Sequence, residues 1–168
     1  MAFLTLGLCF TTGLGVIAPA SGSAQNANSA VLDAKRLALW TQRCEQQKDG
    51  FACFVLVRHF EAVASTPANK TSIRRYTRMA CEIPPETGEK ADFMRKVTGK
   101  SCRRIGSDLM SGTNGAKDLK ASTAYFARGC GFDEVNSCAF LAEAYKDGRG
   151  VERDEAKALA IYRKACSD

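Results

Sequence analysis

Residues 138–166 read CAFLAEAYKDGRGVERDEAKALAIYRKAC, and this stretch decides the fold. Cys138, Leu141 and Tyr145 stand at relative positions 0, 3 and 7, which is one face of an α-helix. Asp147-Gly148-Arg149-Gly150-Val151 follows. Gly148 suits the left-handed residue that ends a helix, and Gly150 permits a sharp turn. Asp154 then offers a side-chain oxygen to the free N–H groups of a new helix, on which Tyr162 and Cys166 lie four residues apart on one face. The stretch therefore predicts a helix, a turn and a second helix.

The same unit recurs upstream, marked by cysteines. Cys53 to Cys81, Cys102 to Cys130 and Cys138 to Cys166 are each 28 residues apart. Cys102 to Cys138 and Cys130 to Cys166 are both 36, and Cys44 to Cys81 is 37. Such a ruler indicates an internal repeat of about 36 residues, with a 12-residue insertion between Cys81 and Cys102. Aligned on it, Leu56, Ile105 and Leu141 coincide, as do Phe60, Leu109 and Tyr145. Trp40, Phe126 and Tyr162 share the position four before the second cysteine, and Asn69, Asp118 and Asp154 share the N-cap position. The middle unit keeps Gly112 and a displaced Gly115, whereas the first uses Pro67 to break the chain. In this reading the second helix of each unit ends on a cysteine and the next helix starts on one.

A pair of antiparallel helices cannot bury its outer faces alone, but stacked pairs can, and the outcome is an all-α solenoid. The units expected are 30–52, 53–101 with the insertion at 83–101, 102–137 and 138–168, within one array over 25–168. Bridges between neighbours follow from the register: Cys44–Cys53, Cys81–Cys102 and Cys130–Cys138. Each closes a short loop, worth about 3 kcal/mol through the unfolded chain. Cys166 is left over as a free thiol, its next unit missing, and an odd cysteine suggests pairing between molecules. A dimer through the open C-terminal end is the expectation.

The disulfide reading needs an oxidising compartment, and the N-terminus supplies a route to one. No charged residue occurs between Met1 and Leu32, and an apolar run ends at Pro19 in small residues. Gly22-Ser23-Ala24 suits a signal peptidase, so residues 1–24 are read as a signal peptide cut after Ala24, although the basic start of such a signal is missing. A membrane anchor and a lipoprotein site at Cys9 are the weaker alternatives, since the run is short of the ~20 apolar residues a span needs. Periplasmic or secreted localisation follows.

Residues 138–166 resemble a Sel1-like repeat at Leu141, Tyr145, Gly148, Gly150, Val151, Asp154, Lys157, Ala158, Tyr162 and Ala165. With cysteines closing adjacent helices, the chain resembles the Helicobacter cysteine-rich protein family. The resemblance is specific over the last unit, partial over 102–130 and one of periodicity over 53–81. It implies a right-handed superhelical solenoid of the Sel1 and tetratricopeptide kind, disulfide-stapled, exported and binding other molecules along its surface. Some members of that family are described as penicillin-binding or weak β-lactamases.

The residues that such hydrolysis requires are not evident. No Ser is followed by Lys three residues later, and Lys-Thr-Gly does not occur. His59 is the only histidine, set beside Phe60, and no Cys-x-x-Cys occurs, so neither a catalytic base nor a metal site is expected. Gly99-Lys100-Ser101 lacks the upstream Gly of a phosphate loop. No cofactor is expected.

Charge is unevenly spread. Ten Lys and Arg against four acids between Lys70 and Arg104 account for the entire net charge of +6. Arg74, Arg75, Arg103 and Arg104 are the binding candidates, drawn to one basic surface if Cys81 and Cys102 are bridged. A loop over the insertion would border that surface. The partner expected is a protein or an anionic envelope component. Nucleic acid is not expected, since no aromatics are interleaved for base stacking. The function inferred is a non-catalytic scaffold for protein–protein interaction, the alternative being a cell-wall peptide-binding or weak β-lactamase-type hydrolase.

Overall fold

The computed structural model describes residues 30–165 apart from 86, 89 and 114. Among the described residues all regular structure is helical: α1 (Ala34–Glu45), α2 (Gly50–Ala62), α3 (Pro67–Glu82), α4 (Ala91–Ser111), α5 (Leu119–Cys130), α6 (Val135–Asp147) and α7 (Glu155–Ala165). The signal peptide, Cys9 and Cys166 lie outside the described residues.

Helix starts follow from capping chemistry. Asp33, Asp49, Asp118 and Asp154 each accept the N–H three residues on, at 2.8–2.9 Å. At α3 the cap is Thr66, whose hydroxyl accepts the Asn69 N–H at 3.1 Å, with Pro67 in the first turn. This corrects the expectation that Asn69 is the cap. Asn69 sits three residues inside, and its amide donates to the Ala64 carbonyl at 2.6 Å. Helices α4 and α6 end on left-handed Gly112 and Gly148. Gly150 is left-handed as well, at φ 75°, and a Cβ there would collide with the Leu119 carbonyl. The α6–α7 turn can therefore lie against the start of α5 only as glycine. There the Thr123 hydroxyl donates to the Arg149 carbonyl at 2.8 Å.

Two further expectations are corrected. Helices α2 and α6 start three residues before Cys53 and Cys138 rather than on them. The 83–101 insertion is largely helix, not loop. After a short turn, Ala91–Ser101 forms the first half of α4, so Cys102 falls mid-helix. The physical reason is legible in its packing: Met94, Val97 and Thr98 recur at helical spacing and are buried.

Each helix packs on the next along the chain, and α4 also touches α2 and α6 directly. Helices α2, α4 and α6 thus make one face, and α1, α3, α5 and α7 the other. Leu56, Ile105 and Leu141, equivalent in the repeat, are 0%, 4% and 7% exposed. Burying side chains of this size contributes roughly 1.5–3 kcal/mol each. One core cluster gathers Leu56, Val57, Tyr76 and Ala80 around Cys44 and Cys53. Another gathers Phe126 and Leu141 around Cys130 and Cys138. Disulfides join Cys44 to Cys53, Cys81 to Cys102 and Cys130 to Cys138, with Cα atoms 4.9, 4.8 and 4.6 Å apart. They staple α1 to α2, α3 to α4 and α5 to α6, the joints between successive units.

Candidate binding surfaces

The insertion helps to form a concavity against α2. Its helical turns carry Phe93 over α2, where the ring meets Phe51 at 6.3 Å and Phe54 at 5.9 Å between centroids. Trp40 of α1 extends this row edge-on to Phe51, and the Lys90 ammonium lies over the Phe51 ring. Between α2 and α4 runs a groove of about 660 Å³. Phe54, Val57, Phe93 and Val97 line it, with Arg58, Lys96, Lys100, Arg103 and Arg104 along the same walls and Glu61 and Asp108 as the acids. Phe93 is 48% exposed and sits beside Phe54 in the groove lining.

Another concavity opens between α3 and α4. Helices α3 and α5 meet near the end of α3, where the Tyr125 hydroxyl donates to Glu82 at 2.6 Å. The Arg128 guanidinium donates there to the Cys81 and Glu82 carbonyls, both at 2.8 Å. Toward the start of α3 a cleft of about 520 Å³ lies between α3, α4 and the loop after α4. Arg74, Arg75 and Arg78 line the α3 wall, and Ile105, Leu109 and Met79 line the interior.

The four arginines expected to share a surface are divided among these sites. Arg74 and Arg75 line the cleft, and Arg103 and Arg104 line the groove. Arg74 and Arg104 also meet across a smaller depression between α3 and α4. Arg75 is held by Glu45 at 3.1 Å, on the oxygen that accepts the Tyr76 hydroxyl at 2.9 Å. Burial, then this bond to Glu45, raises the Tyr76 pKa. Arg103 faces Glu134, the N-cap of α6, at 3.4 Å, and Arg104 pairs with Glu61 of α2. The ion pairs thus direct neighbouring cations to different helices.

His59 is buried at 6% exposure, and its Nδ1 accepts the Leu32 N–H at 3.0 Å. Burial lowers its pKa and keeps the ring neutral. It ties the segment before α1 to α2. Among the described residues no three His, Cys, Asp or Glu side chains gather as metal ligands would, and no helix is long and apolar enough to cross a membrane.

Phe51, Phe54, Phe93 and Arg78 were not singled out from the sequence. Phe51 and Phe54 are three residues apart around Cys53, and Phe93 and Val97 are four apart inside the insertion, each about one helical turn. A helical rather than a loop reading of the insertion would have exposed the row.

No protein-family model and no curated protein matches the sequence. Solved structures do. Cysteine rich protein B of Helicobacter pylori is 25% identical with a TM-score of 0.51, over 79% of this chain and 85% of that one. A Sel1 repeat protein from Oxalobacter formigenes is 21% identical with a TM-score of 0.61, over 79% of this chain and 90% of that one. The three disulfides and the likeness to a Helicobacter cysteine rich protein are consistent with an extracytoplasmic location. In fold the chain is similar to a Sel1 repeat protein and to a Helicobacter cysteine rich protein.

Proposed function

We propose that this chain is an exported, non-catalytic scaffold that holds an extended, acidic segment of a partner protein in the α2–α4 groove. The observation that carries the reading is the exposed Phe93, set beside Phe54 and flanked by Lys96 and Lys100. Aromatic anchors in a desolvated centre with cations at the rim suit a peptide that alternates apolar and acidic residues. The repeat fold supports the same reading, since stacked helix pairs present long continuous surfaces.

The test is fluorescence anisotropy with two labelled decapeptides, one alternating Phe and Glu and one alternating Phe and Lys. The acidic peptide is expected to bind, to weaken with salt, and to lose about tenfold or more with Lys96→Glu plus Lys100→Glu. Equal binding of the two peptides, or indifference to the charge reversal, overturns the groove. Turnover of a chromogenic cephalosporin by the oxidised protein would replace the scaffold by the hydrolase reading. Cys166, the odd cysteine of the exported chain, is the position through which two copies would be linked. Non-reducing electrophoresis of wild type beside Cys166→Ser reads that link.

A further inference from the structure

We propose that the cleft between α3, α4 and the α4–α5 loop is a small-molecule site for an amphipathic anion: a carboxylate or phosphate headgroup on a short apolar body. Its volume of about 520 Å³ falls within the range of pockets that enclose small ligands, roughly 300–1,000 Å³. The interior is apolar, with Met79 of α3 facing Ile105 and Leu109 of α4. The α3 wall is cationic. Arg74 and Arg78 are one helical turn apart, so their side chains project over the same opening. Arg75 adds its charge while held by Glu45, and Asp108 is the one acid in the lining.

Guanidinium groups pair with carboxylate and phosphate oxygens through parallel N–H bonds, a geometry an ammonium cannot reproduce. A bare inorganic anion would leave the apolar interior wet. A neutral apolar molecule would use the apolar interior but not the cationic α3 wall. A ligand with both parts satisfies both walls, its headgroup on α3 and its body against α4. The site is separate from the peptide groove, which is lined by a different set of cations, and the two share only Asp108.

Titration calorimetry of the oxidised full chain with laurate tests the assignment. One-to-one binding is expected, about tenfold or more weaker for Arg74→Gln plus Arg78→Gln. Dodecyltrimethylammonium, with the same tail and the opposite charge, should bind more weakly by a similar factor. Inorganic phosphate alone should give no saturable heat. Ala116 is exposed on the loop at the mouth. Ala116→Phe fills the cleft without touching the core, and should abolish binding while the circular dichroism stays unchanged. Lys96→Glu plus Lys100→Glu should leave laurate binding intact. Phosphatidylglycerol vesicles separate the two sources of such a headgroup. Sedimentation with vesicles that is lost in the Arg74/Arg78 variant assigns it to a membrane lipid, and laurate binding without vesicle binding assigns it to a free amphiphile. Laurate binding unchanged by both the arginine and the Ala116 variants, equal binding of the cationic amphiphile, saturable binding of phosphate alone, or no saturable laurate binding overturns the proposal.

Discussion

The α3–α4 and α5–α6 joints do the same job with very different lengths of chain. Cys130 and Cys138 are 8 residues apart and Cys81 and Cys102 are 21 apart, yet the Cα separations across the two bridges are 4.6 and 4.8 Å. Both joints are thus closed by the same covalent link, whatever the length of chain between the two cysteines. At the α3–α4 joint the extra residues are spent beyond the bridge, as added turns of α4 that reach across α2 and bring Phe93 to Phe51 and Phe54. The shorter joint builds only stacking, whereas the longer one builds stacking and a groove. An insertion in a repeat array can thus add binding surface while the joint keeps its staple.

Removing the staples one at a time gives the largest expected effects. Cys81→Ala with Cys102→Ala should cost about 3 kcal/mol, and Cys130→Ala with Cys138→Ala about 2.5, because the longer closed loop restrains more unfolded chain. Urea unfolding of each variant measures this. A costlier Cys130–Cys138 pair would mean that native packing at the joint, rather than loop closure, dominates. Next comes the residue that ties the two joints together. Arg128 of α5 reaches the last carbonyls of α3, at Cys81 and Glu82. Arg128→Met keeps the stem and removes the donors, and should cost about 1–3 kcal/mol by leaving these carbonyls short of a partner. A thermal melt unchanged from wild type would show that water serves them as well.

The smallest effect separates the first unit from both joints. Burial holds the His59 pKa below its free value of 6.5. The unfolded chain therefore takes up a proton that the folded chain refuses. The stability contributed by neutral His59 is fully present above pH 6.5 and declines as pH falls from there toward the folded pKa. Melting temperature between pH 7.5 and 5.5 should fall more steeply for wild type than for His59→Gln. Parallel slopes would sink the tie to Leu32.

Much of this architecture is legible in the cysteine ruler and the helical stripes, because both arise from local periodicity. Leu56, Ile105 and Leu141 are buried where the repeat puts them, and Gly112, Gly148, Asp118 and Asp154 cap the helices that the sequence implies. Asn69 misleads because Thr66-Pro67 upstream is a better start, a competition between adjacent caps that spacing alone does not decide. The insertion misleads because Pro84, Pro85 and Gly88 draw attention from the helical period that follows them. The division of the arginines was beyond the sequence altogether. Arg103 and Arg104 are neighbours in the chain, and their partners are Glu134, the N-cap of α6, and Glu61 of α2.

The staples also make the chain mechanically uneven. Spans of 9, 21 and 8 residues are closed by covalent bonds, and between them successive helices are held by packing and hydrogen bonds, such as Ser122 to the Gly106 carbonyl. Pulled from its ends, the oxidised protein can lengthen only outside the closed spans, through the residues before Cys44 and the open segments α2–α3, α4–α5 and α6–α7. Its fully stretched length falls short of the reduced chain's by roughly 120 Å. Under tension it behaves as three hard clips on a cord, and reduction releases hidden length from each clip, most of it from the clip that carries the added turns of α4.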